Sequence, residues 1–145
     1  MTQKDKDLLL KDLSARLPYD VKGVVTFHKN MTETREEVRI IDGKLYDRFA
    51  KFQDSWYDNV TIKPYLFPMS SMTNELWNKE FMGCGITEFT RDSFKYGCET
   101  LEFNNDNPHL SSMVRFINQL IKNHFDIYGL IPMGLAIDAT GLNIY

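Results

Sequence analysis

Leu9 or Leu10, Leu13 and Leu17 recur at steps of three and four residues. That spacing puts them on one side of a helix over residues 3–17. Lys4, Asp5, Asp7, Lys11, Asp12 and Arg16 supply the polar side. Pro18 ends the run, because proline disfavours the helical region for its predecessor. The apolar stripe is expected to pack on a sheet, with a partner-binding helix as the sharper alternative. After Val21 the pattern turns to strands. Val24-Val25-Thr26-Phe27 is β-branched and aromatic, which suits a pleated surface. Residues 30–37 are polar and read as a loop or strand end. Val38 to Ile41, Asp42-Gly43 and Lys44 to Tyr46 predict a hairpin, since aspartate-glycine tolerates the positive φ of a tight turn. Phe49, Phe52 and Trp56 follow in a short helix or a third strand.

Val60 and Ile62 alternate with Thr61 and Lys63, then run into a stretch from Pro64 to Thr73 that holds two prolines. The prolines limit hydrogen bonding, so an extended loop or edge strand is expected. Thr73, or one of the serines before it, caps a helix over 74–82. Gly83-Cys84-Gly85 breaks that helix. Ile86 to Thr90 and Phe94 to Phe103 suggest a second hairpin around Arg91-Asp92, with Gly97 at a bulge. Asn107-Pro108 matches a cap followed by proline in a first helical turn. Leu110, Met113, Val114, Ile117, Leu120, Ile121 and His124 then keep helical spacing. Asp126 is expected to cap a last short helix over 127–133, Gly134 to stop it, and Leu135 to Ile137 to form a final strand.

These elements predict one α+β domain over residues 1–145. An antiparallel sheet of hairpins is covered by the N-terminal helix and by the helix in the C-terminal half. The expected core is Leu9, Leu13, Leu17, Val25, Phe27, Ile40, Leu45, Phe49, Val60, Ile62, Trp77, Phe81, Val114, Ile117, Ile121 and Leu135.

Composition narrows the class. The 145 residues are 43% hydrophobic and 13% aromatic, which excludes a disordered chain and suits one domain. Lysine plus arginine is 17 against 20 acidic residues, a net charge of −3. That excludes a globally basic nucleic-acid binder but not a local basic patch. No apolar window approaches the roughly 18 residues of a membrane span, and the opening residues lack a secretory signal. The expectation is a cytoplasmic protein without a membrane partner, its Cys84 and Cys98 held as thiols.

Candidate chemistry is sparse. Gly83-Cys84-Gly85 lacks the third glycine of a dinucleotide fingerprint and reads as a turn. Cys84, Cys98, His109 and His124 are metal-ligand types without the paired short spacings of a metal knuckle, so neither a metal nor a cofactor is expected. Cys84, His124 and Asp126 are the right types for a nucleophile, a base and an orienting group. The bland reading makes the thiol a small buried hydrophobe and lets His124 pack near a helix end, its ring N–H offered to free carbonyls. His28 reads as exposed or locally bonded. Lys44, Arg48, Lys51 and Lys63 interleave with Tyr46, Phe49, Phe52, Trp56 and Tyr65, as on single-strand binders. Asp42, Asp47, Asp54 and Asp58 cancel much of that field, so nucleic acid is disfavoured. Tyr65, Phe67, Pro68, Ser70, Ser71 and Met72 would form an anchor patch if exposed, or else cover a sheet edge.

Three stretches resemble a family of small uncharacterised proteins encoded by gut Bacteroidales and their phages or mobile elements. Residues 11–22, KDLSARLPYDVK, resemble its opening KDLxARLPYGV. Residues 63–73, KPYLFPMSSMT, resemble its PYLxPMSSMT stretch. Residues 123–136, NHFDIYGLIPMGLA, resemble its ending HHFDYRGLIxKGLA. The stretches keep the same order and frame most of the chain. Asp20 departs from a glycine in that pattern, Phe67 from a usual arginine, and Pro132-Met133 from a usual charged pair. A role for a basic residue at position 67 therefore does not carry over. The resemblance implies a genetic setting and one domain of this length, with no reaction attached. The leading expectation is a non-enzymatic protein-binding accessory factor that engages a host or self protein. A Cys84 or His124 enzyme and a single-strand nucleic-acid module are the alternatives. Oligomeric state is left open by sequence.

Overall fold

The computed structural model describes residues 1–29, 33–51, 60–84 and 110–145. The fold is α+β, with helices and a four-stranded sheet. Contacts divide the chain into two compact units, Met1–Leu66 with Tyr128–Tyr145, and Phe67–Ile127.

The first unit opens with α1, Gln3–Arg16. Thr2 starts it through a capping box: its hydroxyl accepts from Asp5 N at 3.2 Å and the Asp5 carboxylate accepts from Thr2 N at 2.8 Å, which satisfies two otherwise orphaned donors. The Thr2 backbone N–H, and next the Thr2 hydroxyl, hold the Asp5 carboxyl below its ordinary value. Pro18 stops α1 as expected, in a 3-10 turn over Leu17–Tyr19, and the chain leaves through Asp20 at φ 52. Strands β1, Lys22–Lys29, and β2, Glu33–Ile40, form the first hairpin. β3, Val60–Leu66, pairs antiparallel to β1, and β4, Ile137–Asp138, pairs parallel to β3. The order β2-β1-β3-β4 makes the sheet mixed.

Register decides which residues reach the core. Lys22 faces Ile40, Val24 faces Val38, and Val25 faces both Glu37 and Ile62. Alternation then puts Val25, Phe27, Val60 and Ile62 on one face. There Leu9, Leu13, Val21, Val25, Ile41, Ile62, Leu66 and Leu130 form an aliphatic core, with Leu17, Phe27, Leu45, Tyr46 and Val60 packed against it. Ile40 takes the opposite face and is 54% exposed, so its place in the expected core is corrected. Gly23 sits where β1 and β3 crowd: a Cβ there would lie 2.7 Å from the Lys63 carbonyl oxygen and 2.7 Å from Ile41 Cδ1.

Two local expectations fail for physical reasons. Asp42-Gly43 does not turn a hairpin. Asp42 Oδ1 accepts from Leu45 N at 2.8 Å and its carbonyl accepts from Tyr46 N at 3.0 Å, which opens helix α2, Gly43–Lys51. Aspartate serves N-caps as well as turns, and the tetrad spacing of Leu45 and Phe49 favours the helix. Pro64 does not confine its strand to an edge either, because β3 is internal. Opposite Gly23, Pro64 turns its missing N–H away from β1 by the alternation of ladder amides. On that side β4 pairs only from Tyr65 onward.

In the second unit Thr73 Oγ1 accepts from Leu76 N at 3.1 Å, the expected cap. Helix α3, Asn74–Leu76, widens into a π turn over Trp77–Phe81 and tightens into a 3-10 turn over Met82–Cys84. A π turn brings residues four apart closer to eclipse, and Trp77 and Phe81 stack at 5.5 Å and 11°. Phe81 also meets Phe116 edge-on at 5.6 Å and Phe125 at 6.3 Å. Met72, Cys84 and Leu120 complete this cluster. Helix α4, Leu110–Lys122, buries Phe116, Leu120 and Ile121, and Phe116 and Leu120 join the aromatic cluster rather than the sheet's core. Val114 and Ile117 are 48% and 39% exposed. Their core placement is corrected: the helix buries Phe116 and Leu120, and Val114 lies at the opposite edge of the apolar stripe from Phe116. The second hairpin expected over 86–103, and the Asn107-Pro108 cap, lie outside the described residues. The short helix expected over 127–133 is instead a set of turns. Gly134, at φ 70, closes them with Gly134 N on Ile131 O and Leu135 N on Leu130 O, both 2.9 Å.

Candidate functional site

Cys84, His124 and Asp126, the candidates for nucleophile, base and orienting group, all fall in the second unit, and all are buried. Cys84 ends the 3-10 turn inside the aromatic cluster. Burial pushes its thiol above the ordinary value, with Arg115 opposing only in part. A nucleophilic cysteine needs the reverse, a thiolate favoured near neutrality.

His124 and Asp126 owe their places to the backbone. His124 holds φ 59 just past α4. Its N–H bonds the Ile121 carbonyl at 3.0 Å, and Phe125 N bonds the Leu120 carbonyl at 2.9 Å. This is a Schellman closure with histidine in the left-handed position usually given to glycine, and Phe125 makes the apolar contact to Leu120 that accompanies it. Sequence reasoning placed His124 at this helix end but missed the left-handed backbone. Phe67 then clasps the segment: Phe67 N donates to His124 O at 2.9 Å, and Asp126 N donates to Phe67 O at 2.8 Å. A parallel bridge between Phe67 and Phe125 results. Position 67 is thus a packing aromatic against Phe125, centroids 6.2 Å apart.

The expected anchor patch is largely turned inward. Tyr65 and Met72 are buried, Phe67, Pro68 and Ser71 are half-buried, and Ser70 is exposed. Ser71 Oγ donates to the Pro68 carbonyl at 2.7 Å, tying the 3-10 turn Met69–Ser71. Of the basic and aromatic positions, Lys44 and Lys63 are exposed, while Tyr46 packs on the aliphatic core and Tyr65 is buried. Phe52, Trp56, Cys98 and His109 lie outside the described residues, as do the side chains of Arg48, Phe49 and Lys51. Among the described residues no cluster of three or more histidine, cysteine or acidic side chains is placed to hold a metal ion, and no helix is long and apolar enough to cross a membrane.

The surface that sequence reasoning missed is the outer face of the sheet. On β1 and β2 it carries Val24, Thr26 and His28 beside Glu36, Val38 and Ile40. β3 adds Thr61 and Lys63, with His28 Nε2 and Thr61 Oγ1 3.0 Å apart. Val38 is 57% exposed, Ile40 nearly as much, and Val24 is half-buried beside Val38. One end of this face is closed by Tyr145. Its hydroxyl accepts from Lys22 N at 3.1 Å and donates to Tyr65 O at 2.9 Å, standing in for ladder bonds one step beyond the Gly23–Pro64 pair. Lys22 Nζ caps the Ile144 carbonyl. The signal for this face was faint, because adjacent Ile40 and Ile41 leave open which of the two turns inward.

No family model matches the chain, and neither a curated protein nor a solved structure matches it.

Proposed function

We propose that this chain is a non-enzymatic protein-binding module, acting as an accessory factor of a phage or mobile element. The observation that carries the reading is the pair Val38 and Ile40, exposed side by side on the outer sheet face next to Val24. Exposed aliphatic side chains grouped on a rigid strand and rimmed by polar residues mark interaction surfaces. Cys84, His124 and Asp126, by contrast, are buried, and the Cys84 thiol is shifted away from reactivity. The binding surface accordingly moves from the stretch over 64–73 to the sheet. Its partner is a protein offering an apolar anchor to Val38 and Ile40 and a carboxylate to the exposed Lys63. The resemblance of the three sequence stretches supplies the genetic setting.

The test is quantitative capture with the natural chain and with a V38D/I40D variant, whose circular dichroism should be unchanged because both positions are exposed. The expected result is a protein retained in near-stoichiometric amount by the natural chain and lost on the variant, with the interaction reproduced by the two purified proteins in calorimetry. Retention of the same proteins by both chains, or of none by either, overturns the proposal.

A further inference from the structure

β2 is the outermost strand of the sheet, with no strand paired on its far side among the described residues. Which of its backbone groups face outward follows from one bond. Ile41 N donates to Val21 O at 2.9 Å, one pair beyond Lys22–Ile40 in the same register. Antiparallel ladders alternate, so the odd-numbered residues of β2 turn their amides to β1, and Glu36, Val38 and Ile40 turn theirs outward. The same rule sends the Lys22 amide toward β3, where it meets the Tyr145 hydroxyl that bonds Tyr65 O.

We propose that this edge joins a second copy of the chain, antiparallel, across a two-fold axis at Val38. The inference goes beyond the binding of another protein by the sheet face and does not depend on it. Charge selects the axis. A strand edge rich in charge normally repels pairing, and an axis at Glu33, Glu36 or Glu37 sets glutamate against glutamate, while one at Arg35 or Arg39 sets arginine against arginine. An axis at Thr34 or Ile40 leaves only a short overlap at an end of the strand. At Val38 the axis sets valine on valine. It places Glu37 of each copy opposite Arg39 of the other, and Glu36 opposite Ile40. Glu37 and Arg39 already pair within one chain, so association joins two ion pairs into a four-charge group. Opposite charges directly across strands stabilise pairing and like charges oppose it. The outward amides of Glu36, Val38 and Ile40 would supply about six inter-strand bonds by the alternation rule. Because Val24 lies beside Val38, the joined sheets carry an unbroken row of four valines, two from each copy, on the outer face.

Sedimentation of the full chain over a roughly hundredfold dilution range reads the monomer–dimer equilibrium by mass action. A reversible dimer is expected. E37R and R39E should each weaken it by about tenfold or more, and E37R/R39E together should recover it. V38P removes an outward amide while sparing the ladder to β1, so it should abolish the dimer with circular dichroism unchanged. With C98S as the parent chain, a short bifunctional thiol reagent should link V38C into a covalent dimer, but not the parent or N78C, an exposed position in the other unit. A monomer at every concentration overturns the proposal. So does a dimer that ignores V38P, is not recovered by the double charge exchange, or fails to link through V38C. A monomer that still loses its partner through V38D/I40D would sink this inference alone, and a dimer without a heterologous partner would sink only the proposed function.

Discussion

The two units build their interiors from different materials. The first packs leucine, isoleucine and valine from α1, the sheet and the Leu130 turn, and places a buried charge pair beside them. Both Asp12 oxygens accept from Arg16, through Nε and Nη2, at 2.8 Å each, with neither side chain exposed to any useful degree. The second packs rings and sulfur: Trp77, Phe81, Phe116 and Phe125 with Met72 and Cys84. Aliphatic packing is nondirectional, so the sheet unit takes its specificity from register and from the fixed geometry of a bidentate ion pair. Ring packing has preferred geometry of its own, and the edge-on contacts around Phe81 fix helix against helix.

Arg16→Met should give the largest effect. It strips a buried carboxylate of its guanidinium partner and should destabilise by about 3–5 kcal/mol. Denaturant titration measures this, and amide exchange should show the loss concentrated in β1 and β3. The double variant D12L/R16M should return to about natural stability or above it, because apolar pairs of similar volume replace buried ions without penalty. Failure of that recovery would mean the pair does more than neutralise itself. Phe81→Ala should follow, at about 3–5 kcal/mol for a buried ring, with exchange rising in α4 instead. If both variants loosened the same amides equally, the contrast between the units would disappear.

Tyr145→Phe should cost about 1 kcal/mol, the net worth of the bonds its hydroxyl makes, and only in the sheet unit. The hydroxyl must keep its proton to donate to Tyr65 O. Burial raises its ionisation from 10.0 to about 12. A group whose pKa is raised by folding contributes fully below its unfolded value, so this contribution should be intact below pH 10 and lost as pH climbs toward 12. Stability of the natural chain minus that of Y145F, followed across this window, should fall. A flat difference would remove the role of the hydroxyl. The smallest effect, and the only gain, should come from Asp20→Gly. Asp20 is exposed at φ 52, where a side chain adds strain that glycine lacks. A rise of up to about 1 kcal/mol is expected in thermal unfolding.

That last position shows how much was legible beforehand. At residue 20 the sequence shows only an aspartate two positions after Pro18, and its left-handed backbone is fixed by the chain's exit from the 3-10 turn, which the letter alone does not announce. Helix α1, its proline stop and the Thr73 cap were readable because each depends on neighbours within a few positions. Asp42-Gly43 was misread because one dipeptide satisfies two local geometries and only packing of Leu45 chooses between them. The orientation of α4 was misread because Val114 and Phe116 compete on hydrophobicity alone. The candidate surface was the least readable. Exposure of Val38 depends on the β1–β2 register, and nothing local distinguishes Ile40 from Ile41.

The first unit gathers residues from both sides of the second, since Leu130, Leu135 and β4 complete a core begun by α1 and β1. During vectorial synthesis the intervening segment leaves the ribosome before those residues do. The aromatic unit draws on one contiguous segment, Phe67–Ile127, whereas the sheet unit cannot close until residues that follow that segment have been made.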